Sequence, residues 1–190
     1  MSDGTPDYLE LPVGRFLDLV ASGEPAPGGG SAAAVSVALA AGLSSMAARL
    51  STKQLTDSAE LARRAEGLRE RVAPLARADA AAYGLVLSAQ RAGGPDGRVR
   101  AALSEAADVP LAVAEAGTEV ADIAARLAID GNPNLKGDAI CALMLADAGV
   151  RAAATLVEIN LGGIEDGRPR RARQLVEASA SARRSVEGEV

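Results

Sequence analysis

Few side chains in this sequence are suited to acid–base chemistry. The 190 residues contain no histidine, a single cysteine and only three aromatic residues, Tyr8, Phe16 and Tyr83. Histidine is the usual acid–base group near neutral pH and the commonest zinc ligand, and the lone Cys141 offers neither a disulfide nor a metal cluster. Any catalysis by this chain must therefore use Asp, Glu, Lys, Tyr, backbone dipoles or bound water, and no metal is expected.

Asp79, Tyr83 and Lys53 are the first candidates. Asp79 and Tyr83 lie one turn apart on an alanine-rich helix, and alanine neighbours indicate a closely packed face on which a carboxylate needs a partner. A salt bridge to a nearby arginine is the structural alternative. Lys53 follows the second predicted helix, and an ordinary surface lysine would have the same local sequence.

The segment PAPGGGS places Gly28, Gly29, Gly30 and Ser31 at the start of a long helix of small residues. Glycines let backbone N–H groups approach a ligand, and a helix start carries a partial positive charge that suits an anion. The spacing matches neither a P-loop nor the G-x-G-x-x-G dinucleotide motif. The alternative is a tight turn whose glycines permit close helix packing, with Ser31 as the N-cap.

A second polar group lies in the segment GNPNLKGD, which contains Asn132, Asn134 and Asp138. Asn and Asp are common in turns and at helix caps, so capping explains them about as well as binding does. Asn160, in VEINL, comes late in an apolar helix and needs a hydrogen-bond partner if it is buried.

Helices must position these residues, because no segment alternates with a period of two for long enough to predict a strand. Periodicity and turn residues predict helices over residues 12–22, 32–50, 57–93 with a kink or break at Pro74, 98–107, 110–129, 138–161 and 170–186. The predicted fold is all-α: a single domain over residues 1–190, built as an antiparallel bundle of about six helices packed through small residues.

Charge and hydropathy argue against several function classes. The net charge is −5, and no unbalanced basic cluster offers the cationic surface that nucleic acid requires. Residues 25–48 are uncharged, but Gly, Ser and Ala drive membrane insertion far less than Leu, Ile or Phe. The N-terminus is acidic and polar, unlike a signal peptide. We therefore expect a cytoplasmic protein that binds neither nucleic acid nor a membrane.

The combination of these motifs is more specific than any one of them. In order, PAPGGGSAAA, the Asp79–Tyr83 pair, VPLAVAE at 109–115, GNPN with Asp138, and VEINL at 157–161 resemble the formimidoyltetrahydrofolate cyclodeaminase/methenyltetrahydrofolate cyclohydrolase family. The resemblance spans about residues 16–182. It implies an all-helical homodimer that binds a tetrahydrofolate derivative as its substrate and has no tightly bound cofactor.

The resemblance also implies two sets of site residues. The substrate-binding set is Gly28, Gly29, Gly30, Ser31, Tyr83 and Asn132. The catalytic set is Lys53, Asp79 and Asp138. The chain departs from the family pattern in two places: no aromatic residue follows Lys53 closely, and Gly137 stands where many members have a serine.

The implied chemistry takes place at the carbon that bridges N5 and N10 of tetrahydrofolate, where 5,10-methenyltetrahydrofolate is hydrolysed to 10-formyltetrahydrofolate. A carboxylate stabilises the cationic bridge, and a carboxylate or lysine moves the proton. Asp79 is expected to face the bridge or the pterin, Asp138 to share that task or orient water, and Lys53 to transfer a proton or bind the glutamate tail.

Two alternatives remain open. One is cyclodeamination of formimidoyltetrahydrofolate with release of ammonia, and the other is folate binding by a helical dimer without turnover. The hydrolase is favoured because no transferase that would supply the formimidoyl substrate is present on this chain.

Overall fold

The computed structural model describes residues 6–93 and 96–187, which form helices joined by short turns and contain no β-strand. Two 3₁₀ turns, Tyr8–Glu10 and Pro133–Leu135, precede the first and seventh α-helices. The α-helices are α1 (Val13–Val20), α2 (Gly29–Arg49), α3 (Ser58–Val72), α4 (Leu75–Arg91), α5 (Asp96–Ala106), α6 (Asp108–Asp130), α7 (Lys136–Asn160) and α8 (Arg168–Glu187). The all-α prediction is confirmed.

Pro74 divides the long helix predicted over 57–93. Helix α3 ends at Val72 and α4 begins at Leu75, because proline lacks an N–H group and its ring clashes with the preceding turn. The break predicted between the helices over 57–93 and 98–107 lies partly outside the described residues, at positions 94–95, and α5 already begins at Asp96.

Helix α2 begins earlier than the sequence predicts. Its N-cap is Gly28, so the prediction of Ser31 as the N-cap is wrong. Ser31 is instead buried in the first turn, where its hydroxyl donates a hydrogen bond of 2.7 Å to the Ala76 carbonyl of α4. The small glycines before Ser31 allow this helix start to lie directly against α4. Asp138 likewise lies within the first turn of α7, which begins at Lys136.

Helices α2, α6 and α7 form the centre of the bundle. Helices α3 and α4 run back along α2, as shown by the bond from the Ser45 hydroxyl of α2 to the Ala62 carbonyl of α3. Helix α7 is also antiparallel to α2, because Asn132, just before α7, donates to the Leu50 carbonyl at the end of α2. The antiparallel arrangement follows from the short connections between long helices.

The centre of the bundle is built from small side chains, mainly alanine and valine. Gly117 of α6 and Gly149 of α7 both face Val37 of α2. A Cβ atom at Gly149 would lie 2.5 Å from Val37 Cγ2, and one at Gly117 would lie 3.2 Å from the same atom. The two glycines therefore let the three central helices approach one another closely around Val37.

Asp147 attaches α8 to α7. Its side chain is buried, and Oδ1 accepts a hydrogen bond of 2.7 Å from the Ser179 hydroxyl. Arg151 and Arg183 lie 3.3 and 3.4 Å from Oδ2. A buried carboxylate is stable only when it is paired in this way.

Two segments, α2 and Pro133–Asn160, are long and apolar enough to cross a membrane by length and composition, with mean hydropathies of 1.6 and 1.7. About half of each apolar window, 56% and 50%, is buried inside the bundle. Core helices of a soluble protein pass the same test, so this feature is weak support for a membrane span.

Candidate active site

A cavity of about 320 Å³ lies at the end of the bundle where α2 begins and α7 ends. Its walls come from the loop before α2, the first turn of α2, the middle of α4 and the last turn of α7. The residues that line it include Gly28, Gly29, Gly30, Asp79, Tyr83 and Asn160. Its size falls at the lower end of the range of small-molecule pockets.

The Asp79 carboxylate lies directly against the first turn of α2. It occupies the space that a Cβ atom at position 30 would fill, so only glycine allows this approach. Oδ2 of Asp79 is 3.2 Å from Ser31 Oγ, and the Ser31 backbone N–H also bonds to the carboxylate. The Asp79 carboxylate thus lies at the positive end of the α2 dipole, which stabilises its negative charge.

Burial dominates the electrostatics of Asp79. It raises the pKa of this carboxyl group above its ordinary value, although the hydrogen bonds from the Ser31 hydroxyl and backbone N–H act in the opposite direction. No arginine pairs with Asp79 among the described residues, so the salt bridge considered as the alternative is not found there. A carboxylate with a raised pKa exchanges its proton closer to neutral pH, as a general base or acid must.

Tyr8 is a neighbour of Asp79 that the sequence did not single out. It is buried and packs edge-on against Phe16, with ring centroids 5.7 Å apart. Burial, together with the nearby charge of Asp79, raises the pKa of the Tyr8 phenol. The N-terminal segment therefore covers one side of the carboxylate. In the sequence, only the small number of aromatic residues could have drawn attention to Tyr8 as a residue that covers Asp79.

Tyr83 and Asn160 give the cavity two further polar groups. Tyr83 lies one turn after Asp79 and is 45% exposed at the cavity wall. Asn160, the last residue of α7, is half-buried, and its carboxamide makes no hydrogen bond with any residue in the described ranges. A half-buried amide without a protein partner is available to a ligand.

Lys53, Asn132 and Asp138 lie at the opposite end of α2. The Ser51 hydroxyl accepts a bond of 2.9 Å from the Asn132 backbone N–H, and the Asn132 carboxamide donates to the Leu50 carbonyl at 3.0 Å. These bonds attach the loop before α7 to the end of α2. Lys53 is exposed beside this junction, and Asp138 is half-buried in the first turn of α7.

The two groups of candidate residues are therefore separated by the length of α2. Helix α2 has 21 residues, which span about 30 Å at 1.5 Å per residue. Within one chain, neither Lys53 nor Asp138 can reach the cavity that holds Asp79. The expectation that Asp79 and Asp138 share one catalytic step is thus not met inside a single protomer.

A wider groove of about 690 Å³ runs between α3, α6 and α8, and the charged side chains of its lining other than Asp122 pair with each other. Arg71 pairs with Glu119 at 2.8 Å, and Arg171 pairs with Glu115 at 3.3 Å. Across residues 6–93 and 96–187, no three His, Cys, Asp or Glu side chains are grouped to hold a metal ion. The smaller cavity beside Asp79 is therefore the candidate active site.

Three comparisons with known proteins agree on the kind of protein. A sequence profile of the formiminotransferase-cyclodeaminase family matches residues 12–178. A methenyltetrahydrofolate cyclohydrolase from Methylorubrum extorquens is 35% identical over 168 residues, and the alignment covers 81% of each chain. The crystal structure of formiminotetrahydrofolate cyclodeaminase from Thermotoga maritima matches with a TM-score of 0.83 at 28% identity, covering 95% of this chain and 98% of that one.

Proposed function

The chain belongs to the formiminotransferase-cyclodeaminase family and is a tetrahydrofolate one-carbon enzyme, and from this premise we propose that it hydrolyses 5,10-methenyltetrahydrofolate to 10-formyltetrahydrofolate. The observation that carries the proposal is the half-buried Asp79 carboxylate, which lies in the cavity against Gly30 and Ser31 without a cationic partner among the described residues. A cationic substrate would supply that partner.

The reaction sets two requirements for the site. The methenyl bridge is an amidinium-like cation, and water adds to its carbon. The bond from that carbon to N5 then breaks as N5 gains a proton, so that one water is consumed and one proton is released. The protein must therefore stabilise positive charge at the bridge and accept a proton from the attacking water.

Asp79 meets both requirements from one position. Its ionised carboxylate, partly withdrawn from water, attracts the cationic bridge more strongly than an exposed one would. Because burial raises its pKa, the same carboxylate is a better base than an ordinary aspartate once water begins to add. A positioned base of this kind contributes about 10²–10⁴ to the rate.

The remaining cavity residues orient the substrate. The N–H groups of Gly29 and Gly30 lie in the first turn of α2, where no intrahelical acceptor exists for them. The Asn160 carboxamide offers both a donor and an acceptor to the hydrogen-bonding edge of a pterin. The exposed ring of Tyr83 provides an apolar surface on which a flat ring system packs.

Cyclodeamination of formimidoyltetrahydrofolate is the second candidate, supported by the structural match to the Thermotoga maritima cyclodeaminase. In that reaction N10 attacks the formimidoyl carbon and ammonia leaves after it gains a proton. Asp79 would supply that proton in its acid form, which its raised pKa favours. The hydrolase is preferred because the cyclohydrolase from Methylorubrum extorquens has the higher identity to this chain.

One paired assay tests the proposal. The loss of near-ultraviolet absorbance of methenyltetrahydrofolate is followed with the wild type, with Asp79→Asn and with Gln90→Ala, a matched change at an exposed position of α4. We expect the turnover number of Asp79→Asn to fall about 10²–10⁴-fold and that of Gln90→Ala to stay at the wild-type value. Near-full turnover by Asp79→Asn with unaltered folate binding would refute the role of Asp79.

Ammonia release from formimidoyltetrahydrofolate, measured in parallel, decides between hydrolase and lyase. A protein that binds folate and performs neither reaction would be the non-catalytic dimer. We further propose a cytoplasmic homodimer that has no tightly bound cofactor and binds neither nucleic acid nor a membrane; the acidic net charge of −5 supports the absence of a nucleic-acid partner.

A further inference from the structure

The cavity beside Asp79 has one wall that is built from two separate parts of the chain. Ala106, at the end of α5, and Asn160, at the end of α7, both line the cavity. The residues that follow them, Ala107 and Leu161, are buried together in a second, smaller hydrophobic cluster. Residues 103–107 and 160–167 are called the α5–α7 wall below.

Apolar burial stabilises the α5–α7 wall only modestly. The buried members of the smaller cluster are Ala107, Ala154, Val157, Leu161 and Ala172. Because the free energy of burial grows with the apolar area removed from water, a cluster made largely of alanines contributes little. Polar contacts therefore supply a larger share of what holds the two parts of this wall together.

Arg168, the first residue of α8, holds the α5 part of the wall. Its Nη1 donates to the Ser104 carbonyl oxygen at 2.7 Å, and its Nη2 donates to the Ser104 hydroxyl at 2.7 Å. Nη1 also lies 2.5 Å from the Asp108 carboxylate at the start of α6. The guanidinium group thus fixes the α5–α6 junction, which contains the cavity residue Ala106.

The same guanidinium group holds the turn that follows Asn160. Nε and Nη2 of Arg168 donate to the two Asp166 carboxylate oxygens at 3.0 and 2.8 Å, and bidentate pairs of this kind are the strong ones. Asp166 also accepts a bond of 2.7 Å from the Arg168 backbone N–H. In addition, Arg100 of α5 donates to the Gly163 carbonyl of this turn at 3.0 Å. The two parts of the wall are therefore joined by arginine side chains.

The surroundings of Arg168 differ from those of an ordinary surface arginine. Its side chain is 21% exposed, whereas Arg171 and Arg173 of the same helix are 53% and 63% exposed and each pairs with one carboxylate. Hydrogen bonds from the Arg168 side chain are the main cause that lowers the pKa of the Asp166 carboxyl group to about 2. A lysine at position 168 would keep the charge but lose the planar fork that spans these acceptors.

The wall of the cavity that carries Asp79 is held by other contacts. Asp79 and Ser31 belong to α4 and α2, which the bond from Ser31 to the Ala76 carbonyl and the main core hold together. A change at Arg168 is therefore expected to move Asn160 relative to Asp79 and to leave the surroundings of Asp79 unchanged.

We propose that Arg168 is a positioning residue of the active site, which joins the two parts of the α5–α7 wall and so holds the Asn160 carboxamide in place for the pterin edge of the substrate. Arg168 does not itself line the cavity, so its effect on the ligand passes through Asn160. The identity of the ligand rests on the proposed function, whereas the joining of the wall does not.

A double-mutant cycle tests whether Arg168 acts through Asn160. The dissociation constant of tetrahydrofolate is measured by calorimetry for the wild type, Arg168→Lys, Asn160→Ala and the double variant. We expect each single change to raise it about 3–10-fold, the value of one hydrogen bond. The double variant should bind no more weakly than Asn160→Ala, because the group that Arg168 positions is already absent. Effects that multiply to about 10–100-fold would overturn the positioning role.

Arg173→Lys is the matched control for the binding measurement. Arg173 joins α8 to Glu158 of α7 at 2.7 Å, but the pair is exposed, and exposed pairs contribute little. This variant should bind tetrahydrofolate like the wild type, whereas Asp166→Asn, which removes the bidentate partner of Arg168, should weaken binding as Arg168→Lys does. Equal dissociation constants for Arg168→Lys and Arg173→Lys would also overturn the positioning role.

Hydrogen exchange tests the joining of the wall without any folate. Amides of residues 103–107 and 161–167 should exchange faster in Arg168→Lys than in Arg173→Lys, whereas those of the first turn of α2 should keep their wild-type rates. Equal rates in the two variants, or faster exchange throughout the chain, would overturn the role of Arg168. A wild type that neither binds tetrahydrofolate nor hydrolyses its methenyl form would refute the proposed function, and the exchange rates would still decide whether Arg168 joins the wall.

Discussion

Ser31 and Asp79 lie on different helices, yet their side-chain oxygens are 3.2 Å apart, and the Ser31 hydroxyl also bonds to the backbone of α4 at Ala76. The contact that fixes α4 against α2 is therefore also the contact that holds the proposed catalytic carboxylate. The free energy of unfolding and the catalytic rate therefore depend on the same few atoms. The way each of these two quantities changes with pH distinguishes the structural role of the contact from its catalytic role.

Asp79→Asn should stabilise the protein at neutral pH. Burial raises the pKa of Asp79 above its unfolded value of about 3.9, so the folded state holds that proton more tightly than the unfolded state. Wild-type stability therefore falls as pH rises from about 3.9 through the folded pKa. Asparagine does not ionise and avoids this loss. In urea unfolding between pH 4 and pH 8, the gain in free energy of unfolding of Asp79→Asn over the wild type should shrink toward pH 4. A gain independent of pH would contradict the raised pKa of Asp79.

Ser31→Ala should move the acid limb of the kcat/KM profile to higher pH. The Ser31 hydroxyl lowers the pKa of Asp79, so its removal raises that pKa further, and the ionised base forms at higher pH. The lost bond to Ala76 should also lower the free energy of unfolding by about 1 kcal/mol. Ser36→Ala is the control, because that hydroxyl bonds only to the Ala32 carbonyl of its own helix; an equal shift in both variants would rule out a specific effect.

Gly30→Ala should be destabilising because its Cβ atom would overlap the Asp79 carboxylate. Overpacking of this kind costs about 1–3 kcal/mol of unfolding free energy, and displacement of Asp79 should lower kcat as well. Gly67→Ala provides the comparison, because Gly67 is an exposed glycine of α3 with open space around it. Alanine there should raise the free energy of unfolding by about 0.5–1 kcal/mol. Thermal unfolding of the two variants should move in opposite directions.

Ser179→Ala should loosen α8. The Ser179 hydroxyl is a neutral donor to the buried Asp147 carboxylate, and a hydrogen bond to a charged group is worth about 1.5–3 kcal/mol. Ser185→Ala, which removes an exposed hydroxyl on the same helix, should change stability by less than about 0.5 kcal/mol. The α8 amides should exchange their hydrogens faster in Ser179→Ala than in Ser185→Ala. Equal exchange in the two variants would contradict the role of the Ser179–Asp147 bond in holding α8 against α7.

Much of the helical layout could be predicted from local chemistry. Pro74 cannot continue a helix, and it separates α3 from α4 at the predicted place. The glycine-rich start of α2 was misplaced by a few residues because Ser31 is a favoured N-cap residue. Its hydroxyl bonds instead to Ala76, 45 residues later in the chain, and no local pattern contains that contact.

The candidate site was less accessible to sequence reasoning. Periodicity places Asp79 and Tyr83 on one face, but the approach of Asp79 to Gly30 depends on how α4 lies along α2. Lys53, in a connection, and Asp138, in the first turn of α7, lie at the other end of the bundle, and their sequence positions do not reveal at which end they lie. Tyr8 was missed because the N-terminal segment has no periodic pattern that relates it to α4.

The meeting of Val37 with Gly117 and Gly149 has a consequence for how this protein tolerates change. Where a glycine lies directly against a valine methyl group, no free space remains for an added methyl group. A larger residue at this crossing would displace the whole of α2, and the cavity at the start of α2 would move with the helix. Loss of function through variants remote from any substrate is therefore to be expected in this scaffold.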